Sequence, residues 1–224
     1  MSASWIAQAE RLVAQTRHRL EVEEEFDEYA GEFEKHLLTV LDYKLPEVLL
    51  HKAQLLPALP RVVDLGCGTG LCGRALRSRA AVGCLVGVDL SACMLARAKQ
   101  EGGYDELYQR DLLAHLQREG SGAVDLLLAC DVFIYLRSLE KVVTEGHRVL
   151  RPGGFFFFST EAATVEEAPE GLVQRASGRY AHSRDYVEGL TDRRFQILDA
   201  ETIDLRIEDD LPLPGDCYLL QRLP

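Results

Sequence analysis

Residues 62–70 read VVDLGCGTG. Val62, Val63 and Leu65 form an apolar run that ends in Gly66, Gly68 and Gly70, and Leu71 then opens a helical pattern. Glycines at a strand-to-helix turn let the backbone bend sharply and approach a ligand closely, and the helix start offers N–H groups that the helix itself does not use. The GxGxG spacing alone is weak evidence, because such turns also occur with no ligand. Its weight comes from the residues around it.

Asp64 stands two residues before the first glycine. Asp89 closes the next apolar run, in LVGVDLS, 19 residues beyond Gly70. A carboxylate there can accept both hydroxyls of a ribose, or it can cap a helix. Asp111 ends a third run, in YQRDLL, where it can accept from an exocyclic amine or again serve as a cap. Runs at 62–65, 85–88, 106–109, 124–130, 155–160, 195–205 and 216–220 read as strands. Stretches 71–78, 92–100, 113–118, 139–150 and 183–190 read as helices. The first five strands are each followed by helix or loop, and the last two read as a closing antiparallel pair. The expected fold is α/β, a doubly wound and mostly parallel seven-stranded sheet with an N-terminal helical cap.

The cap is expected over residues 1–57 and the sheet domain over 58–224, with Pro57 and Pro60 bracketing a short linker. Trp5, Ile6, Ala9, Leu12, Val13 and Leu20 fall near helical spacing. Residues 21–34 then hold eight acids and no Lys or Arg, with Phe26, Tyr29, Ala30 and Phe33 threaded between them. That pattern reads as a helical element with one solvated acidic face.

At 224 residues the chain is long enough for one well-buried domain, and 47% hydrophobic with 27% charged residues argues against disorder. No apolar run approaches the roughly 18 residues of a membrane span, and the start lacks the core of a signal peptide. A formal charge of −11 opposes binding to phosphate backbones and to anionic membrane surfaces. Six cysteines form no CxxC pair and no zinc-ligand spacing, so no metal is expected and a reduced, cytoplasmic compartment is. The expected partner is a small molecule, with neither nucleic acid nor membrane, and the expected state is monomer or homodimer.

Taken together, DLGCGTG, GVDLSACMLARA, RDLL and LRPGGFFFFS resemble the class I S-adenosylmethionine-dependent methyltransferases over residues 62–160. A nicotinamide-binding loop would carry GxGxxG, and here the third glycine comes one residue early. The flanks FDEYAGEFEKHLLTVLDYKLPEVL and GRYAHSRDYVEGL are similar to a subgroup of small-molecule methyltransferases, some of which carry tetratricopeptide repeats ahead of the domain. The resemblance implies S-adenosyl-L-methionine as cofactor and S-adenosyl-L-homocysteine as product. It implies that Gly66, Cys67, Gly68 and Gly70 wrap the methionine part, with Asp64 anchoring that loop or the cofactor amine. Asp89 would hold the ribose, Leu90 and Met94 would flank the adenine, and Asp111 and Leu112 would read its edge. Cys130 would line the pocket beside the methionine group, and Tyr29 would close over the cofactor from the cap.

The function so implied is methyl transfer to O, N or S of a small-molecule acceptor by in-line displacement. A protein methyltransferase, or a cofactor-binding regulatory module without transfer, are the alternatives. Such a transfer depends chiefly on alignment, and a base matters only where the acceptor arrives protonated. ACDVFIYL supplies Asp131 and Tyr135 for the acceptor side; GRYAHSRDY supplies Tyr180, His182 and Tyr186; the cap supplies Tyr29, His36 and Tyr43. His182 suits proton transfer near neutral pH, or it packs beside a helix capped by Ser183. His36 shares helical spacing with Phe33 and Val40, which fits packing as well as substrate binding. Asp131 is either a base or a structural carboxylate. CDVF stands where amino-group methylases of DNA carry an (N/D)PP(Y/F/W) tetrad, and no Pro-Cys nucleophile is present there, which argues against nucleic-acid bases as acceptors.

Overall fold

Val63, Leu65, Leu127, Ala129, Phe156 and Phe158 pack into one apolar cluster, and their chain neighbours Val62, Leu126, Leu128, Phe155 and Phe157 pack into another. Side chains alternate sides along a strand, so continuous apolar runs bury both faces of a sheet. The computed structural model describes residues 19–24, 26–27, 41–54, 56–208 and 210–224.

The elements alternate as the sequence predicts. They are α1 (Leu45–Ala53), β1 (Leu59–Leu65), α2 (Leu71–Arg79), β2 (Val82–Asp89), α3 (Ala92–Glu101), β3 (Glu106–Gln109), α4 (Leu112–Leu116) and β4 (Val124–Ala129). A 3-10 turn (Phe133–Tyr135) leads to α5 (Glu140–Val149) and β5 (Leu150–Ala163). Then come β6 (Leu172–Gln174), β7 (Tyr180–Ser183), α6 (Arg184–Thr191), β8 (Phe195–Glu208) and β9 (Leu211–Arg222). Residues 19–24 and 26–27 are helical as well.

Strands β3, β2, β1, β4 and β5 lie side by side and parallel, and β9 closes antiparallel on β5 with β8 beyond it. These are the seven strands expected from the sequence. Val142, Val143, Val149 and Val187 from α5 and α6 cover one face. Leu45, Leu49 and Ala53 of α1 with Cys72 and Leu76 of α2 cover the other. Helix α1, which the sequence reading placed in the cap, therefore shares its core with the sheet, and Lys52 ties it to Asp199 and Glu201 of β8.

The sheet holds two strands more than expected. Glu161 of β5 faces Gly215 of β9 on one edge and Ala181 of β7 on the other. The β6–β7 hairpin therefore takes the edge of β5 that β4 occupies lower down, and it begins where β4 has ended. The sequence reading took this segment as a loop before a helix. Tyr180, Ala181, His182 and Ser183 carry no apolar run, and their extended form comes from pairing with Glu161–Ala163.

Candidate cofactor and acceptor site

Strands β1 and β2 end level with each other, Leu65 facing Val88, and the Gly66 and Cys67 amides both donate to the Val88 carbonyl at 2.8 and 3.0 Å. The chain then turns through Gly66, Gly68 and Gly70 at φ of 68°, 53° and 92°, a region that disfavours any side chain. Gly70 stands at the N-cap of α2 and brings no side-chain cap. Asp64, 1% exposed at the end of β1, lies beneath that helix start. Its Oδ2 accepts the Tyr104 hydroxyl at 2.6 Å, and the Gly73 amide also favours its charged form. Burial outweighs both and pushes the Asp64 carboxyl up to about 7.

Asp89 closes β2 beside this loop. Its Oδ2 accepts the Gly68 amide at 2.8 Å and its Oδ1 the Ser91 amide at 2.9 Å. A carboxylate has about four lone-pair directions, so acceptor capacity remains for two hydroxyls. Burial raises its pKa, and the Ser91, Gly68 and Leu90 amides pull it back. The hydroxyl of Thr69, between the last two glycines, is buried with no hydrogen-bond partner. An orphaned buried hydroxyl in a glycine loop, next to a carboxylate with spare lone pairs, fits a ligand with both polar and ribose-like groups.

Other expected cofactor residues are placed as follows. Leu90 and Leu112 are half-buried, whereas Met94 is fully buried and its amide donates to Ser91 Oγ at 3.0 Å. Asp111 caps α4 through the Ala114 amide at 3.0 Å, the alternative left open by its sequence position. Cys67 is buried in the loop and its thiol is pushed up by burial. Cys130 is buried at the end of β4, its thiol pushed up by Cys72 and by burial. Tyr29 and His36 lie outside the described residues, as does the first expected helix.

The helical residues 19–24 and 26–27 cross the strand ends. Glu23 Oε1 accepts from Gln109 Nε2 at 3.3 Å, at the end of β3. Asp27 Oδ1 accepts the Ser91 hydroxyl at 2.5 Å and the Cys93 amide at 3.1 Å, at the start of α3. Those contacts lower its pKa, Ser91 foremost. Phe26 meets the Tyr135 ring edge-on at 5.7 Å, beyond β4. The stretch thus bridges β2, β3 and β4.

Beyond β4, Asp131 adopts φ of 56° and places both carboxylate oxygens on Arg206 Nη1, at 2.7 and 2.8 Å. Arg206 of β8 is 4% exposed and also donates to Glu161 at 2.6 Å and Glu208 at 3.3 Å. Arg179 pairs with Glu161 and Glu208 in turn. Three carboxylates and two guanidiniums close a network at this end of the sheet. Burial raises the Glu161 pKa despite Arg206 and Arg179.

His182 does not stand in a loop. It is a fully buried residue of β7, its ring 5.7 Å from that of Tyr186 and nearly parallel to it. Neither ring nitrogen makes a hydrogen bond of good geometry, and burial lowers its pKa to about 4, outweighing the Arg137 and Leu136 backbone, which pulls the other way. The Tyr186 hydroxyl accepts the Leu139 amide at 3.0 Å and so ties α6 to α5, and Ser183 caps α6 through the Tyr186 amide. Tyr180 is half-buried at the start of β7. Sequence reasoning missed Tyr104, Thr69, Asp27 and Arg206. Gly73 and Gly87, glycines inside a helix and a strand, were the available signal for Tyr104.

No group of His, Cys, Asp and Glu among the described residues is arranged to hold a metal ion, and no described helix is long and apolar enough to cross a membrane.

Residues 63–158 match the family described as a methyltransferase domain. Over 171 residues the chain is 28% identical to a malonyl-[acyl-carrier protein] O-methyltransferase of Legionella pneumophila, covering 75% of this chain and 59% of that protein. Over 103 residues it is 29% identical to a ubiquinone biosynthesis O-methyltransferase of Pseudomonas entomophila, covering 45% and 44%. The chain thus spans about half the length of these curated relatives. Among solved structures, the N-methyltransferase NodS of Bradyrhizobium japonicum in complex with S-adenosyl-L-homocysteine superposes with a TM-score of 0.61 at 17% identity, covering 79% of this chain and 85% of that one. Glycine loop, strand-end carboxylates and sheet order agree with the Rossmann-like fold of S-adenosylmethionine-dependent methyltransferases, and residues 63–158 of the chain match the methyltransferase-domain family.

Proposed function

We propose that the chain transfers a methyl group from S-adenosylmethionine to a nitrogen or oxygen of a small molecule, in the cytoplasm. The observation that carries this reading is Asp89, bound to the Gly68 and Ser91 amides with lone pairs to spare beside the orphaned Thr69 hydroxyl. Asp89 holds the ribose in this reading, and Thr69 and the loop amides hold the methionine part. The cofactor supplies a methyl on a positively charged sulfur. An acceptor lone pair could take that methyl while the sulfur keeps the C–S bonding pair and leaves neutral, the N–H or O–H proton of the acceptor passing to solvent. The protein's task is alignment, which can contribute roughly 7–11 kcal/mol.

The acceptor side favours a hydroxyl or amine over a carboxylate. Arg206 and Arg179 are both engaged by carboxylates, and the five charges of the network sum to one negative. An acceptor carboxylate would meet like charge there, whereas an N–H or O–H can donate to Asp131. The flanking stretches support kinship with the tetratricopeptide-related small-molecule subgroup. A screen of amines, phenols and carboxylic acids, scored by release of S-adenosylhomocysteine, tests this: turnover confined to carboxylic acids would overturn the acceptor reading. Radiolabel that appears only in protein would overturn the small-molecule reading.

A further inference from the structure

Gly73 and Gly87 lie inside ordinary elements. Gly73 is in the first turn of α2 and Gly87 is within β2, and neither has a positive φ. Glycine in either place weakens the element relative to alanine, so something other than backbone conformation must require it. What both positions face is Tyr104, on the turn between α3 and β3. A Cβ on Gly87 would lie 2.8 Å from Tyr104 Cδ1, and one on Gly73 would collide with the Tyr104 hydroxyl. Gly70, at the end of the cofactor loop, faces the same ring: its Cβ would lie 2.7 Å from Tyr104 Cε2. Loop, helix and strand each lack a side chain where it would meet this tyrosine, although Gly70 also has a φ of 92° and Leu107 and Cys67 crowd Gly87 as well.

The seat aims the hydroxyl at Asp64 Oδ2, 2.6 Å away. Asp64 leads into the loop from β1 and meets the start of α2, whose own N-cap supplies no side chain. We infer that Tyr104 is a positioning residue for the cofactor: by fixing Asp64 with its hydroxyl and Gly70, Gly73 and Gly87 with its ring, it holds the glycine loop in its ligand-binding shape. Tyr104 does not touch the ligand in this account. It acts through Asp64, and the inference rests on the loop being the cofactor site.

The pair responds to pH. The groups that face Asp64 are the Cys67 thiol of the loop, the Gly73 amide of α2, Asp89 of β2, the Cys130 thiol of β4 and Tyr104 itself. Asp89 is the one other carboxylate among them, and no cation joins them among the described residues. The Tyr104 hydroxyl donates best to ionised Asp64, so losing it should move the titration of Asp64 upward.

Tyr104→Phe keeps the ring in its seat and removes the hydroxyl. The test is calorimetric titration of the wild type and this variant with S-adenosylhomocysteine, from about pH 6 to 9, alongside thermal melting. The expected result is a folded variant that binds roughly 10- to 150-fold more weakly near neutral pH, the strength of a lost hydrogen bond to a charged group. Its affinity should reach its plateau at a higher pH than in the wild type. Unchanged affinity and pH profile, with only a lower melting temperature, would make Tyr104 a packing residue and overturn the inference. Should Tyr104→Phe fail to fold, Gly73→Ala, which pushes a methyl against the hydroxyl, must weaken binding; unchanged affinity there overturns the inference too. A wild type that binds the nucleoside at no pH would refute the cofactor reading itself, an outcome distinct from both.

Discussion

The Asp89 carboxylate accepts the Gly68 amide at 2.8 Å, so the group placed to hold the ribose also fixes the middle of the glycine loop. One residue thus sets both the ligand contact and the shape of the backbone around it.

Asp89→Ala should therefore lose more than a hydrogen-bond acceptor. Two charge-assisted bonds at about 1.5–3 kcal/mol each correspond to at least roughly a 100-fold loss of affinity for S-adenosylmethionine. The carboxylate lies at a strand end and fills little core, so the melting temperature should stay within a few degrees. Calorimetry on the folded variant decides: affinity equal to wild type would place the ribose elsewhere.

Asp64 sets stability against function. Its carboxyl is raised to about 7 from an ordinary 3.8, so the folded state holds the proton more tightly than the open chain does. The stability this contributes is full below pH 3.8 and is lost as pH rises through about 7. Asp64→Asn removes that titration, worth on the order of a few kcal/mol. Above neutral pH the variant should melt at or above the wild type while binding S-adenosylhomocysteine more weakly. A variant that binds normally would show that binding does not use the Asp64 charge.

The sheet was legible in the sequence because strands buried on both faces must be apolar throughout, as in Phe155–Phe158. The glycine loop was legible because its residues are contiguous. The network around Arg206 was not. In DLRIE it reads as a solvent-facing charge on an alternating strand, and its partners Asp131 and Glu161 stand 75 and 45 residues away. Tyr104, in GGYDE, reads as turn, and the three glycines that seat it belong to three elements. The β6–β7 hairpin owes its form to the neighbouring strand rather than to its own residues.

Arg206→Leu should be strongly destabilising. It leaves Glu161, 1% exposed, with Arg179 as its remaining cation and frees Asp131 from the end of β4. Breaking a buried pair from one side typically costs about 3–5 kcal/mol, or roughly 10 °C in a domain of this size. Adding Glu161→Leu should restore part of the loss, because the stranded charge is gone. Urea denaturation of both variants measures this, and no recovery in the double variant would show that packing around the guanidinium is what matters.

Residues 19–24 and 26–27 should be steadied by ligand. They are held by Asp27 on Ser91 and Cys93 and by Phe26 on Tyr135, contacts on opposite sides of the loop. Hydrogen exchange across these residues should slow when S-adenosylhomocysteine binds, and Asp27→Ala should abolish much of that slowing. Equal exchange with and without ligand would mean that the bridge forms independently of the site.

His182→Ala separates a proton acceptor from a packed ring. A general base near neutral pH would lose roughly 10²–10⁴ in turnover on this substitution. The ring is fully buried against Tyr186, and burial lowers its pKa to about 4 from 6.5, so it is neutral at physiological pH and a weak proton acceptor. For a group whose folded pKa is depressed, the associated stability is present above pH 6.5 and is lost as pH falls through about 4. A shift of that size is worth about 3 kcal/mol. Two outcomes are therefore expected together. The variant should melt lower at neutral pH, because a stacked ring has left a cavity. Its stability should also fall less steeply than that of the wild type between pH 6.5 and 4, because the titrating group has gone. Turnover of the folded variant should stay within about threefold of wild type across the pH range, whereas a loss in the range expected of a general base would restore His182 to the chemistry.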